Sequence, residues 1–273
     1  MAEIIVVTSG KGGVGKTTTT ANLGVALALQ KKKVLLIDTD LGLRNLDVVL
    51  GLEDRVVYDL VDVMEGVCTP EQAVISDSRV SGLFLLPAAQ MRDQSAFSPK
   101  RFSILCDLLR EDYDYIVVDS PAGIEKGFQN AIVPADKVVV VTTPEMVSIR
   151  DADRIVGLLD GADKKDVVML INRIRPALVK NGDMLNPIEM IEMLSVPVIG
   201  VIPDEDDVLV CANHGSLLCE RKKSIAWKAF LNTARRLNGE SVPMMRLLQK
   251  ERFWKLKKRF CRNENDDRGG RQK

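Results

Sequence analysis

Gly10-Lys11-Gly12-Gly13-Val14-Gly15-Lys16-Thr17 is the stretch whose reading decides the fold. The apolar run Ile4-Ile5-Val6-Val7 precedes it, and a helical pattern begins near Thr17. Strand, glycine-rich turn and helix are the setting that the G-x-x-x-x-G-K-[ST] phosphate-binding pattern requires. Glycines let backbone N–H groups close on phosphate oxygens without Cβ clashes. The helix N-terminus adds a favourable dipole for the anion. Lys16 would then reach the β- and γ-phosphates, and the Thr17 hydroxyl would ligand Mg²⁺. At ordinary glycine usage the four defining positions recur by chance in about one chain in a hundred of this length.

Moving outward, the runs Lys33–Asp38 and Tyr115–Asp119 read as buried parallel strands, each ending in a carboxylate. Open α/β sheets bind ligands at the carboxyl ends of their strands. Asp38, Asp40 and Asp119 are therefore candidates to serve a cation and an attacking water beside the loop. Further strands are read at Leu83–Leu86, Lys137–Thr142, Val167–Asn172 and Val198–Ile202, with helices near Pro99–Arg110 and Ser224–Leu237. A helix opening with a capping box at Ser148-Ile149-Arg150-Asp151 is expected, with Ile149, Ala152, Ile155, Val156 and Leu159 on one face. Strands alternating with helices predict a doubly wound α/β domain with a mostly parallel sheet of about seven or eight strands.

Lys11 is unexplained by phosphate binding alone, since Lys16 already fills the loop's lysine position. Gly10 through Thr18, read as G-K-G-G-V-G-K-T-T, resembles the deviant Walker A motif of the MinD/ParA family of ATPases. The resemblance implies that Lys11 reaches the phosphates bound by a partner subunit. It implies catalytic roles for Lys11, Lys16 and Asp40, Mg²⁺ held through Thr17, Asp38 and Asp119, and ATP as the nucleotide. Asp119-Ser120-Pro121-Ala122-Gly123 resembles the family's switch II, and Asp40 to Leu52, with Arg44-Asn45-Leu46-Asp47 at its centre, resembles switch I of its division-site members. Asn172 and Arg173 resemble the family's adenine contact, and Pro203 and Asp204 begin a loop that packs on adenine in relatives. His214, the sole histidine, is read as a surface residue.

Lys+Arg and Asp+Glu both number 38, so the chain is neutral overall and only the distribution of charge is informative. Eight basic residues and one acid lie between Arg246 and Arg262, leaving the remainder acidic and arguing against a DNA-coating body. On a helix, Phe253, Leu256 and Phe260 fall on one narrow stripe with Trp254 and Cys261 to one side, and cations fill most of the remainder. This is the pattern of a helix lying in a membrane interface, with Leu247, Phe253, Trp254, Leu256 and Phe260 as its expected lipid contacts. Expected divisions are an ATPase domain at 1–242, the amphipathic helix at 243–262 and a polar tail at 263–273. Five scattered cysteines without a C-x-x-C suit a reducing cytosol and neither a disulfide framework nor a zinc site. No signal peptide, membrane-spanning run or prenylation box is read.

The resemblance as a whole implies an ATPase that dimerises with ATP, sits in the cytoplasm and on the inner face of the cell membrane, and positions a MinC-like division inhibitor. A MinE-like or other topology factor and anionic lipid are the further partners implied, and DNA is not expected. A ParA-type DNA-partitioning ATPase or a flagellar-number (FlhG-type) ATPase is the alternative.

Overall fold

The computed structural model describes residues 1–92 and 96–245. Its strands are β1 (Glu3–Thr8), β2 (Val34–Asp38), β3 (Ile75–Ser76), β4 (Leu83–Leu86), β5 (Tyr115–Asp119), β6 (Lys137–Thr142), β7 (Val167–Ile174) and β8 (Val198–Pro203). They form one sheet in the order β3-β4-β2-β5-β1-β6-β7-β8. Every pairing is parallel except β3 with β4 at the edge. The two residues of β3 are too few to carry an alternating pattern, which is why reading the sequence yields seven strands.

The helices are α1 (Lys16–Ala28), α2 (Leu46–Leu50), α3 (Leu60–Glu65), α4 (Pro70–Ala73), α5 (Pro99–Leu109), α6 (Lys126–Ala131) and α7 (Met146–Gly161). They continue with α8 (Pro176–Asn181), α9 (Pro187–Leu194), α10 (Asp206–Asn213) and α11 (Ile225–Leu237). They cover both faces of the sheet, so the inner strands carry unbroken apolar runs between their end residues rather than an alternating pattern. Ile4 and Val6 of β1 join Ile116 and Val118 of β5 in a core closed by α5, α6 and α7. Ile5 and Val7 join Val117 in a second core closed by α1 and α11. Burying each such side chain contributes roughly 1.5–3 kcal/mol, and both cores draw on opposite faces of β1 and β5.

One expectation is corrected. Helix α7 begins at Met146, with Glu145 at its N-cap and no side-chain cap, instead of at a Ser148 capping box. Ser148 is buried, and its hydroxyl accepts a 2.8 Å hydrogen bond from the Thr143 hydroxyl. A serine held that way is not free to cap. The predicted apolar face is borne out: Ile149, Ala152, Ile155 and Leu159 are buried, with Val156 packed against them.

Candidate functional site

β1 lies between β5 and β6, and the chain leaves it for β2, two positions away on the other side of β5. The loop after β1 therefore opens at the carboxyl ends of β1, β5 and β2, where the winding of the sheet reverses. Gly15 caps α1 with φ 92°, in the left-handed region where a side chain is strained. No side chain caps that helix, so its first N–H groups are left to another acceptor. A Cβ at Gly12 or Gly13 would meet nothing within 4 Å, which makes this part of the loop an open cradle. The first residue of the loop is the opposite: a Cβ at Gly10 would overlap the Asp151 carbonyl oxygen of α7.

Asp119 is the centre of the site. It is fully buried at the end of β5. Its Oδ1 accepts from Lys16 Nζ at 2.9 Å and from the Thr20 hydroxyl at 3.0 Å, and its Oδ2 accepts from the Thr17 hydroxyl at 2.7 Å. The backbone behind it is tied in as well. Thr39 donates both its N–H (3.0 Å) and its hydroxyl (2.8 Å) to the Asp119 carbonyl, and Gly123 N–H donates to Ser9 O at 3.0 Å.

Asp38, equally buried, ends the neighbouring strand β2. Its carboxylate accepts from the backbone N–H groups of Asp40 (2.9 Å), Asn45 (3.2 Å) and Leu46 (3.1 Å), so it anchors the segment leading into α2. Burial, and then the charge of Asp119, push the Asp38 carboxyl up to about 7 against the Asp40 and Leu46 N–H donors and the charge of Lys16. Asp40 is half-buried, and burial raises its carboxyl while Lys16 partly opposes the rise. Arg44, at φ 38°, pairs its Nε with the buried Asp47 carboxylate at 2.8 Å.

The oxygen set of Thr17, Asp38 and Asp119 suits a hard cation, and Lys16 suits a phosphate. Among the described residues no three His, Cys, Asp or Glu side chains gather as a cage. That donor set fits Mg²⁺, which takes one or two carboxylates, here beside a threonine hydroxyl, and completes its shell with phosphate and water.

At the other end of the site, β7 departs from regular pairing with β8 between Ile171 and Ile174, and Arg173 between them has φ 56°. Such an irregularity re-aims side chains. Here it brings Asn172, which is buried, onto the phosphate loop: its Nδ2 donates to Val14 O at 2.8 Å. A Cβ at Gly15 would come within 2.3 Å of that Nδ2. Arg173 is exposed, and Pro203 is buried at the end of β8. Asp204 is drawn to Arg175, whose Nε donates to it at 2.6 Å. Lys11 and His214 are exposed. The structure thus gathers Lys16, Thr17, Asp38, Asp40 and Asp119 on one side of the loop and Asn172 on the other. Leu247, Phe253, Trp254, Leu256 and Phe260 lie outside the described residues. Thr20 was not anticipated; a threonine inside a helix carries no motif signal.

A doubly wound parallel sheet with a glycine loop after its central strand, and with strand-end carboxylates on the loop's lysine and threonine, defines a P-loop nucleotide-binding protein. The family described as the CobQ/CobB/MinD/ParA nucleotide binding domain matches residues 5–218. The chain is 51% identical to the septum site-determining protein MinD of Bacillus subtilis, the match covering 89% of this chain and 92% of that one. It is 49% identical to the Synechocystis sp. protein of that name, over 90% of this chain and 92% of the other. Among solved structures, MinD in the MinC:MinD complex of Aquifex aeolicus aligns with a TM-score of 0.85 at 49% identity, covering 90% of this chain and 99% of that chain. The Pyrococcus horikoshii MinD complexed with Mg-ADP aligns with a TM-score of 0.78 at 29% identity, covering 87% and 96%. The chain belongs to the MinD/ParA family, on its septum site-determining MinD branch, and is an ATPase.

Proposed function

We propose that this chain is a Mg²⁺-dependent ATPase that dimerises on ATP, attaches to membrane as a dimer and places a MinC-like division inhibitor. The observation that carries the reading is the shared grip of Lys16 and Thr17 on Asp119. Both donors are the groups that a phosphate-bound cation and nucleotide would claim. Nucleotide arrival would therefore release Asp119 and, through Gly123, alter the loop that follows β5. Mg²⁺, when bound, neutralises charge on the β- and γ-phosphates.

In this reading Gly10 to Thr18 hold the phosphates, Thr17, Asp38 and Asp119 hold the cation, and Asp40 orients the attacking water. Asn172, Arg173, Pro203 and Asp204 face the adenine. Exposed Lys11 reaches the nucleotide of the partner subunit. The MinC:MinD complex of Aquifex aeolicus supports the inhibitor as partner, and a MinE-like or other topology factor would time release. Among the described residues no helix is long and apolar enough to cross a membrane. The basic amphipathic pattern of 247–260 supports peripheral attachment to the inner face of the cell membrane instead.

A single such tail binds marginally, because each cation near anionic lipid adds only about 1 kcal/mol and helix ordering opposes it at roughly 1–2 kcal/mol per residue. Two tails on one dimer gain roughly 10²–10⁴-fold in avidity. ATP would thus govern attachment by governing dimerisation. Co-sedimentation with anionic vesicles is the test, run with ATP, ADP and no nucleotide beside a DNA-binding control. Binding should require ATP, weaken with salt, and vanish in Phe253→Glu or on truncation after Pro243. Equal sedimentation with ADP and ATP sinks the switch, and salt-sensitive DNA binding without lipid binding favours the partitioning alternative.

A further inference from the structure

Thr20 lies one turn beyond Lys16 in α1 and is fully buried. Its hydroxyl stands 3.0 Å from Asp119 Oδ1 and 3.2 Å from the Lys16 carbonyl oxygen. A hydroxyl carries one proton, so it donates to one of these at a time. Bonding back to the carbonyl four residues earlier is the common habit of a helical threonine and would satisfy it without Asp119. The carboxylate is within reach nonetheless, and it is already bonded to Lys16 Nζ and the Thr17 hydroxyl.

Those two donors are the ones the bound state claims. Once Lys16 turns to phosphate and Thr17 to the cation, Asp119 loses both. A buried carboxylate stripped of donors is costly and will reorient. Thr20 has no such competing duty, and its alternative acceptor, the Lys16 carbonyl, stays in place either way.

We infer that Thr20 is a positioning residue: its hydroxyl holds Asp119 Oδ1 in the nucleotide-bound state, so that Oδ2 stays turned toward the cation. This rests on the reading that Thr17 and Asp119 serve Mg²⁺. Thr20 touches neither nucleotide nor cation and acts only through Asp119.

The test is equilibrium binding of N-methylanthraniloyl-ADP to the full chain, first in EDTA and then across a Mg²⁺ titration. Thr20→Val keeps the shape and removes the O–H, whereas Thr20→Ser keeps the O–H. Thr20→Val should bind the probe in EDTA within about twofold of the parent and need about tenfold more Mg²⁺ for half-maximal tightening, as befits one hydrogen bond to a charged group. Thr20→Ser should follow the parent. An unchanged Mg²⁺ midpoint in Thr20→Val overturns the inference. So does a Thr20→Ser variant as impaired as Thr20→Val, or loss of probe binding in EDTA, which would make Thr20 a packing residue of α1. If Thr20→Val fails to fold by circular dichroism, Thr20→Ala carries the same comparison. Failure of the underlying metal reading looks different: the parent would then ignore Mg²⁺, or Thr17→Ala would keep the parent's midpoint.

Discussion

Asp38 and Asp119 are register partners at the carboxyl ends of the adjacent parallel strands β2 and β5. Both are fully buried, and the Lys16 ammonium bonds to one of them. Neighbouring strands run about 4.8 Å apart, so the two carboxylates share one small desolvated volume. Such a pair ionises together only with a cation to balance it.

This predicts an inverted pH dependence for the nucleotide-free protein. The Asp38 carboxyl is raised to about 7 from an ordinary 3.8. The folded state therefore binds the extra proton between those values, and its contribution to stability is full below about 3.8 and lost as pH rises toward 7. Asp38→Asn should remove that component, gaining roughly 2–4 kcal/mol over the parent at pH 8 but little at pH 4. Denaturant melts of both proteins across that range check it, and parallel pH profiles would refute it.

Lys16 and Asp40 should separate binding from chemistry. Lys16→Ala should abolish ATP turnover and remove most nucleotide binding. It should also destabilise the free protein by about 3 kcal/mol, since it leaves the Asp119 charge buried with hydroxyl donors only. Asp40→Ala should bind ATP nearly as the parent does while slowing hydrolysis by about 10²-fold or more. Turnover equal to the parent's would remove Asp40 from the chemistry.

Gly15 is constrained twice, by its φ of 92° and by Asn172 Nδ2 standing where a Cβ would sit. Gly15→Ala should cost about 2–4 kcal/mol and weaken nucleotide binding by displacing Asn172. Asn172→Ala relieves the clash but not the backbone strain. The double variant should therefore be more stable than the sum of the two single effects, by about 1 kcal/mol. Strict additivity in thermal or denaturant melts would mean that the two residues do not press on each other.

Exposed Lys11 makes no ion pair among the described residues. Lys11→Ala should bind ATP as a monomer and fail to form the ATP-dependent dimer, as read by light scattering with a slowly hydrolysed analogue. A normal dimer would reduce Lys11 to a solvated charge.

Much of this was local enough to be legible in one dimension. Ile4 to Thr17 carries strand, loop and helix start in adjacent residues, because backbone sterics and glycine conformations act over a few positions. The runs ending at Asp38 and Asp119 announced buried strands by their unbroken apolar character. Partnership was what the chain could not disclose. That Asp38 and Asp119 stand side by side depends on β5 inserting between β1 and β2, a consequence of strand order. The grip of Thr20 on Asp119 spans 99 residues, and that of Asn172 on Val14 spans 158. Ser148 illustrates the same limit in reverse, since a local capping pattern yielded to a buried bond with Thr143. Hydrogen bonds between distant residues are selected by packing and burial after the sheet has assembled, so spacing along the chain carries no trace of them.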